Sequence, residues 1–203
     1  MRLGIPMITR LRATIALLAL CVAGCTPFVL ESSSQYFAAS EYTVALADGS
    51  YAVSQPSMKL AVVVNRPDHV EIMLSEDNGV PHTLIGGFVA LQIPGYFIFQ
   101  ATDAIENGAP VPKKPGENSI YIPVRIAKTG EVFWYIGPKT QCDLECATLF
   151  SSHGFQKYGN GDWSAPKNLP RTEVLAFYEE LASLLDRSPD TWEAVRAIRI
   201  AGS

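Results

Sequence analysis

From Glu41 to about Ile136 apolar and polar side chains alternate with a period of two, the pattern of strands that bury one face. Val70, Ile72 and Leu74 share a face opposite His69, Glu71, Met73 and Ser75, and Ile120, Ile122, Val124 and Ile126 oppose Ser119, Tyr121, Pro123 and Arg125. Tyr42, Val44 and Leu46 predict a strand that turns at Asp48-Gly49 into residues 50–54, and Leu60, Val62 and Val64 predict one face of the strand that follows. Residues 82–92 read as a strand bent at Gly86-Gly87, where missing side chains permit a bulge, and Pro94-Gly95 turns the chain into the apolar run 96–100. Residues 101–118, with three prolines and two glycines, follow neither period and predict a long exposed loop. Pro123 predicts an edge or a bulge, since proline cannot donate to a ladder. The fold class is therefore mainly β within α+β, an antiparallel meander of about eight strands forming a barrel-like or sandwich domain.

The period changes in the last third of the chain. Val174, Phe177, Tyr178, Leu181, Leu184 and Leu185 fall at helical spacing behind Pro170 and Glu173, a favourable first turn. Ser188-Pro189-Asp190 reads as the cap of a second helix carrying Trp192, Val195 and Ile198, so two C-terminal helices are expected at about 170–199, covering one opening or one face of the sheet.

Ahead of the strands, Arg2, Arg10 and Arg12 precede the apolar stretch 13–23 with no acid among them, the layout of an export signal. The stretch ends in Val22-Ala23-Gly24-Cys25, which resembles the lipobox of bacterial lipoproteins. That resemblance implies a diacylglycerol on the Cys25 thiol, cleavage before Cys25 and acylation of the freed amine. An uncleaved membrane helix over 13–30 is the competing reading, against which Pro27 and the small residues at 23–24 argue. Met1 and Met7 both serve as possible starts. The expected organisation is a signal at 1–24, a lipidated end and tether at 25–40, and one domain at 41–203. Thr26 after the cysteine, in place of aspartate, implies the outer membrane under Gram-negative sorting, with the domain facing the periplasm.

Composition changes the picture in two respects. The first 24 residues hold three of the 16 basic residues and none of the 20 acidic ones, so the remaining 179 residues carry a formal net charge of −7. That balance disfavours nucleic acid and anionic head groups as partners and leaves membrane attachment to the acyl chains on Cys25. Cys21 leaves with the signal and Cys25 is taken by lipid, so Cys142 and Cys146 remain as a pair, expected to form a disulfide in an oxidising envelope.

Candidate chemistry is sparse. Cys142, Cys146 and His153 have metal-ligand residue types, but three residues separate the cysteines and a fourth ligand is missing nearby, so no metal site is assigned. Ser151, Ser152, His153 and Asp162 could meet as a hydrolytic set, although no nucleophile motif surrounds them, and no catalytic residue or cofactor is assigned. The glycine-rich stretch 153–163 carries Phe155, Tyr158 and Trp163, aromatics suited to partner contact or to anchoring the loop on the sheet. The aromatics of the strands could line a barrel pocket for a small apolar ligand or fill a solid core. The expected role is a lipid-anchored envelope protein that binds a protein partner or gives structural support, with a ligand carrier, an envelope hydrolase or a hydrolase inhibitor as alternatives.

Overall fold

Strands whose edges all find partners close into a barrel, and this chain takes that solution. The structure is a computed structural model that describes residues 30–32, 34–55, 58–76, 81–113, 119–139, 142–157, 163–166 and 169–201; Cys25 and Tyr158 lie outside the described residues. In chain order the strands are β1 (Leu30–Ser32), β2 (Gly49–Gln55), β3 (Met58–Asn65), β4 (Val70–Glu76), β5 (Pro81–Ala90), β6 (Tyr96–Glu106), β7 (Ala109–Pro110), β8 (Ser119–Ile126), β9 (Val132–Pro138), β10 (Gln156–Lys157), β11 (Trp163–Ser164) and β12 (Trp192–Arg199). Two helices, α1 (Leu144–Ser152) and α2 (Arg171–Arg187), stand between β9 and β12. The ring runs β8-β9-β12-β2-β3-β4-β5-β6 and returns to β8, antiparallel throughout, while β1 pairs with the start of β8.

The expected mainly β, antiparallel barrel of eight strands with two helices is the observed architecture. The helix expected after Pro170 is present, and all six residues of its predicted stripe are buried. The second predicted helix is corrected: Trp192–Arg199 is a strand that fills the place between β9 and β2. Its apolar residues fit either period, and two strands with unpaired donors and acceptors decide for the strand. The second helix is instead α1, which starts at Asp143, whose carboxylate accepts from the Cys146 N–H.

Three further expectations change. Residues 42–46 form no strand; Thr43 makes a single bridge to Phe88 where β5 outruns β4, Leu46 is buried against the barrel core and Val44 is exposed. The loop expected from residue 101 starts later, because β6 continues to Glu106 and turns into β7. In β3 the buried set is Ala61 and Val63, while Leu60, Val62 and Val64 lie on the outer face. Both sets are apolar, so alternation leaves the choice open, and pairing with β4 settles it by placing Ala61 opposite Leu74 and Val63 opposite Ile72. The bend foreseen at Gly86-Gly87 is a bulge between Ile85 and Gly86, where a Cβ on Gly86 would stand 2.0 Å from the Gln100 carbonyl oxygen.

Two cores result. Inside the barrel sit Tyr51, Val63, Ile72, Phe88, Phe99, Val124 and Val132. Outside it, α1 and α2 pack Phe150, Phe177, Tyr178 and Leu181 against Tyr96, Ile98, Tyr121, Tyr135 and Trp192 from β6, β8, β9 and β12. Leu30 and Phe37, from the stretch expected as tether, belong to this second core: Leu30 pairs with Tyr121, and Phe37 is fully buried.

Burial pushes the phenols of Tyr96, Tyr135 and Tyr178 upward and that of Tyr121 up to about 12. The folded state therefore favours their neutral forms. Their contribution to stability is whole below the ordinary phenol value near 10 and is lost as pH rises from there toward 12 and above. Equilibrium denaturation as a function of pH should show this as a tyrosine-linked loss of stability beginning near pH 10, with tyrosinate absorbance appearing together with unfolding; exposed, gradual titration without unfolding would contradict it.

Candidate functional site

The interior of the barrel is the first concavity to consider. It retains an apolar cavity of about 60 Å³ bordered by Val53, Ile72, Leu74, Ile122, Trp134 and Val195. Ligand pockets run to roughly 300–1,000 Å³, so this space suits a packed core with a small void. The strand aromatics fill it: Phe88, Phe99 and Trp134 meet with ring centroids 5.0 to 5.8 Å apart.

The residues expected to carry chemistry are spread over the helical layer. Cys142 and Cys146 form the expected disulfide, with Cα atoms 5.3 Å apart at the start of α1, so neither offers a thiolate. His153 ends α1 and lies between two carboxylates of α2: Nδ1 is 2.7 Å from Glu173 Oε1 and Nε2 is 3.4 Å from Glu180 Oε2. Its ring meets Phe177 edge-on at 5.5 Å. The hydrogen bond from the imidazole Nδ1 side to Glu173 ties the end of α1 to α2, while Nε2 stands near Glu180 without a hydrogen bond to it. The hydroxyls of Ser151 and Ser152 donate to the Ala147 and Leu149 carbonyls of their own helix, turned toward backbone instead of toward the imidazole. Among the described residues no cluster of three His, Cys, Asp or Glu side chains is placed to hold a metal ion.

The aromatics of the expected contact loop anchor that loop. Phe155 is buried and stacks on Phe177 at 4.8 Å, and Trp163 stacks on Phe150 at 5.1 Å. Phe155 is thus corrected from a contact residue to a core residue, and Trp163 is half-buried; Tyr158 falls outside the described residues.

Two open clefts of about 450 and 300 Å³ lie along α1, one between α1 and α2 at Thr148 and Ser183 and one at Asp143 and Thr191, and the barrel presents a surface besides. The helices cover the outer face of the barrel over β6, β8, β9 and the first half of β12, and leave β2, β3 and β4 bare. Across the bare wall the register aligns Ile198 with Ala52 and Leu60, and Ser50 with Val62 and Met73. Ile198 is 55% exposed, Ile200 42% and Met73 36%, while Leu60, Val62 and Val64 are half-buried by their neighbours alone. The outward positions of β2 are Ser50, Ala52 and Ser54, all small, so β2 is the floor of a groove. Its walls are Ile198 near the end of β12 with Ile200 just beyond that strand, and the ridge Leu60-Val62-Val64 on β3.

Charges stand at the rim of this wall and are paired there. Arg66 holds Glu71 at 3.1 Å, and this hydrogen bond keeps the Glu71 carboxyl below the usual carboxylate range. Arg196 pairs with Glu131, and Arg199 donates to the Asp48 carbonyl at 2.7 Å. Every strand of the wall is paired on both sides, so the wall can be met by side chains and not by an added strand. The sequence holds the signal for this surface, since both alternating sets of β3 are apolar where a solvated wall would carry polar side chains on one of them.

The class defined by these features is a small closed antiparallel β-barrel with a helical layer over one wall and an apolar opposite wall. No family model, no curated protein and no solved structure matches the chain.

Proposed function

We propose that this chain is a lipid-anchored bacterial envelope protein that acts by protein contact through the bare wall of its barrel. The observation that carries the binding role is the distribution of apolar surface. The interior is nearly full, with a cavity of about 60 Å³, whereas aliphatic side chains of β12, β3 and β4 face outward without cover from the rest of the described chain. Contiguous exposed apolar patches beyond a few hundred Å² are uncommon on monomers and mark interaction sites.

The anchor reading rests on Val22-Ala23-Gly24-Cys25 behind a basic and apolar leader. Several acyl chains, each methylene contributing about 0.8 kcal/mol, would hold a domain of net acidic charge that has no other attraction to an anionic membrane. Leu30 is already paired with β8, so four residues separate Cys25 from the barrel. An extended chain covers the five steps from Cys25 to Leu30 in about 17 Å, which places the domain close against the membrane that holds the lipid.

Cys25→Ser tests the anchor. The variant is expected to lose incorporation of labelled palmitate and to leave the detergent-soluble lipoprotein fraction, or to remain as uncleaved precursor. Mature, acylated, membrane-bound protein from Cys25→Ser would overturn the anchor.

A further inference from the structure

We infer that the cleft between α1 and α2 binds a primary ammonium carried on an unbranched aliphatic stem, the chemistry shared by a free alkylamine and a lysine side chain. The site lies on the helical side of the barrel and is independent of the bare wall. Its size, the sense of its hydrogen-bonding groups and one uncommitted carboxylate lead to it.

The cleft measures about 450 Å³, within the roughly 300–1,000 Å³ that small-molecule sites occupy. The two helices run antiparallel, with Glu145 near Arg187 at one end and His153 bonded to Glu173 at the other. Glu180 and Arg187 both border the cleft, and at 1.5 Å per residue they stand about 10 Å apart along α2. Buried Leu149 and Leu184 give the cleft an apolar floor. Leu144 at its lip is 83% exposed, the most exposed large apolar side chain among the described residues.

The hydroxyls of the lining turn their protons away from a ligand. Thr148 Oγ1 donates to the Leu144 carbonyl at 2.7 Å, Ser152 Oγ to the Leu149 carbonyl at 2.9 Å, and Ser183 Oγ to the Glu179 carbonyl at 3.0 Å. Each proton is committed to its own helix, so these oxygens have only lone pairs left to offer. An ammonium group, with three donors and no acceptor, is the complement of such a lining.

Glu180 supplies the charge. The other carboxylates of α2 are engaged: Glu173 with His153, Glu179 with the Gln92 N–H at 2.7 Å, and Asp186 with the Tyr96 hydroxyl at 3.3 Å. Glu180 is 62% exposed and faces His153 Nε2 at 3.4 Å without a hydrogen bond. The His153 side chain is only 5% exposed, and its buried Nε2 has no hydrogen-bond partner. With the Nδ1 proton donated to Glu173, Nε2 is a lone pair turned on the Glu180 carboxylate. A cation on the cleft side of Glu180 offsets that repulsion. α1 holds no basic residue, and Arg187, the cation of the described lining, stands 3.8 Å from Glu145 at the far end. An ammonium beside Glu180 therefore lays its stem over Leu184 and Leu149, and a stem of about five carbons fits the ~10 Å length.

The test uses the full chain in detergent micelles, with saturation-transfer NMR reading the probe and the signal of empty micelles subtracted. Pentylamine is expected to bind saturably in the millimolar range, and pentan-1-ol and hexanoate, which have the stem without the ammonium, at least about fivefold more weakly. Glu180→Gln should weaken pentylamine about fivefold, and Arg187→Gln should strengthen it about twofold by removing a competing cation, both with unchanged circular dichroism and melting. Ser183→Leu, which fills the cleft, should abolish binding. An acetylated glycyl-lysyl-glycine amide that displaces pentylamine identifies a protein lysine as the source, and binding of pentylamine without displacement by the peptide identifies a free amine; either result supports the site. Absence of saturable pentylamine binding, equal binding of the alcohol or the carboxylate, or affinity indifferent to Glu180→Gln would each overturn the inference.

Discussion

Phe177→Ala is expected to destabilise the protein by about 4 kcal/mol, a large share of the 5–15 kcal/mol that holds a domain of this size. Phe177 is fully buried at the centre of α2 and meets Phe150, His153, Phe155 and Tyr178 at ring distances between 4.8 and 5.7 Å. Removing the ring takes away burial, leaves a cavity and dissolves aromatic contacts whose geometry adds to burial alone. The same ring supports the imidazole of His153 against Glu173, so the tie between α1 and α2 loosens with it. Thermal unfolding should fall by about 8–16 °C for a chain of this length. Phe177→Leu should recover more than half of the loss, because it restores most of the volume. A decrease below about 1 kcal/mol for Phe177→Ala would mean that the helical layer is not cemented by this cluster.

Gln100→Leu is expected to cost about 3 kcal/mol and to release the segment 34–43 from the barrel before the rest unfolds. Gln100 is fully buried on the outer side of β6, where Oε1 accepts from the Phe37 N–H at 3.1 Å and Nε2 donates to the Phe37 carbonyl at 2.9 Å. Nε2 also donates to the Tyr42 hydroxyl, and the Tyr42 ring lies over Gly87, where any Cβ would collide with it. Leucine keeps the volume but strands the Phe37 N–H in the core, the costly form of a lost hydrogen bond, while the Phe37 carbonyl keeps only the bond from Gln35 Nε2 at 3.1 Å. Hydrogen exchange should show residues 34–43 losing protection while β2 to β5 keep theirs. Uniform loss across the barrel, or no loss at all, would count against a local latch.

The two variants probe the parts of the structure that were legible to very different degrees. The stripe of α2 was readable from spacing alone, since a buried helical face repeats every three to four residues whatever it packs against. The inward set of β4 was equally readable, because Val70, Ile72 and Leu74 face polar neighbours on the opposite side. Gln100 gave no such signal. It falls at the end of an apolar run, and its partner Phe37 is 63 residues away, so its role exists only once the barrel brings them together. His153 stood out as a candidate ligand by type, yet its partner Glu173 read only as a favourable charge in the first turn of the helix. The bare wall was present as an apolar excess in β3, but alternation could not say that the excess faced outward.

What this sequence determines unaided is local: the period of two in most strands from β2 to β9, the helix behind Pro170, the pairing of Cys142 with Cys146, and the resemblance of Val22-Ala23-Gly24-Cys25 to a lipobox. These depend on neighbours within a few residues, whose sterics and hydrogen bonding act in any context. The tertiary structure alone decided that Trp192–Arg199 is a strand, that Leu30–Ser32 and Phe37 lie on the barrel, and that Leu60, Val62 and Val64 of β3 form an outer wall. Each of these was settled by pairing between distant segments. A segment whose apolar residues satisfy two periods, or lie on both faces, takes the arrangement in which the backbone groups of every neighbour are bonded.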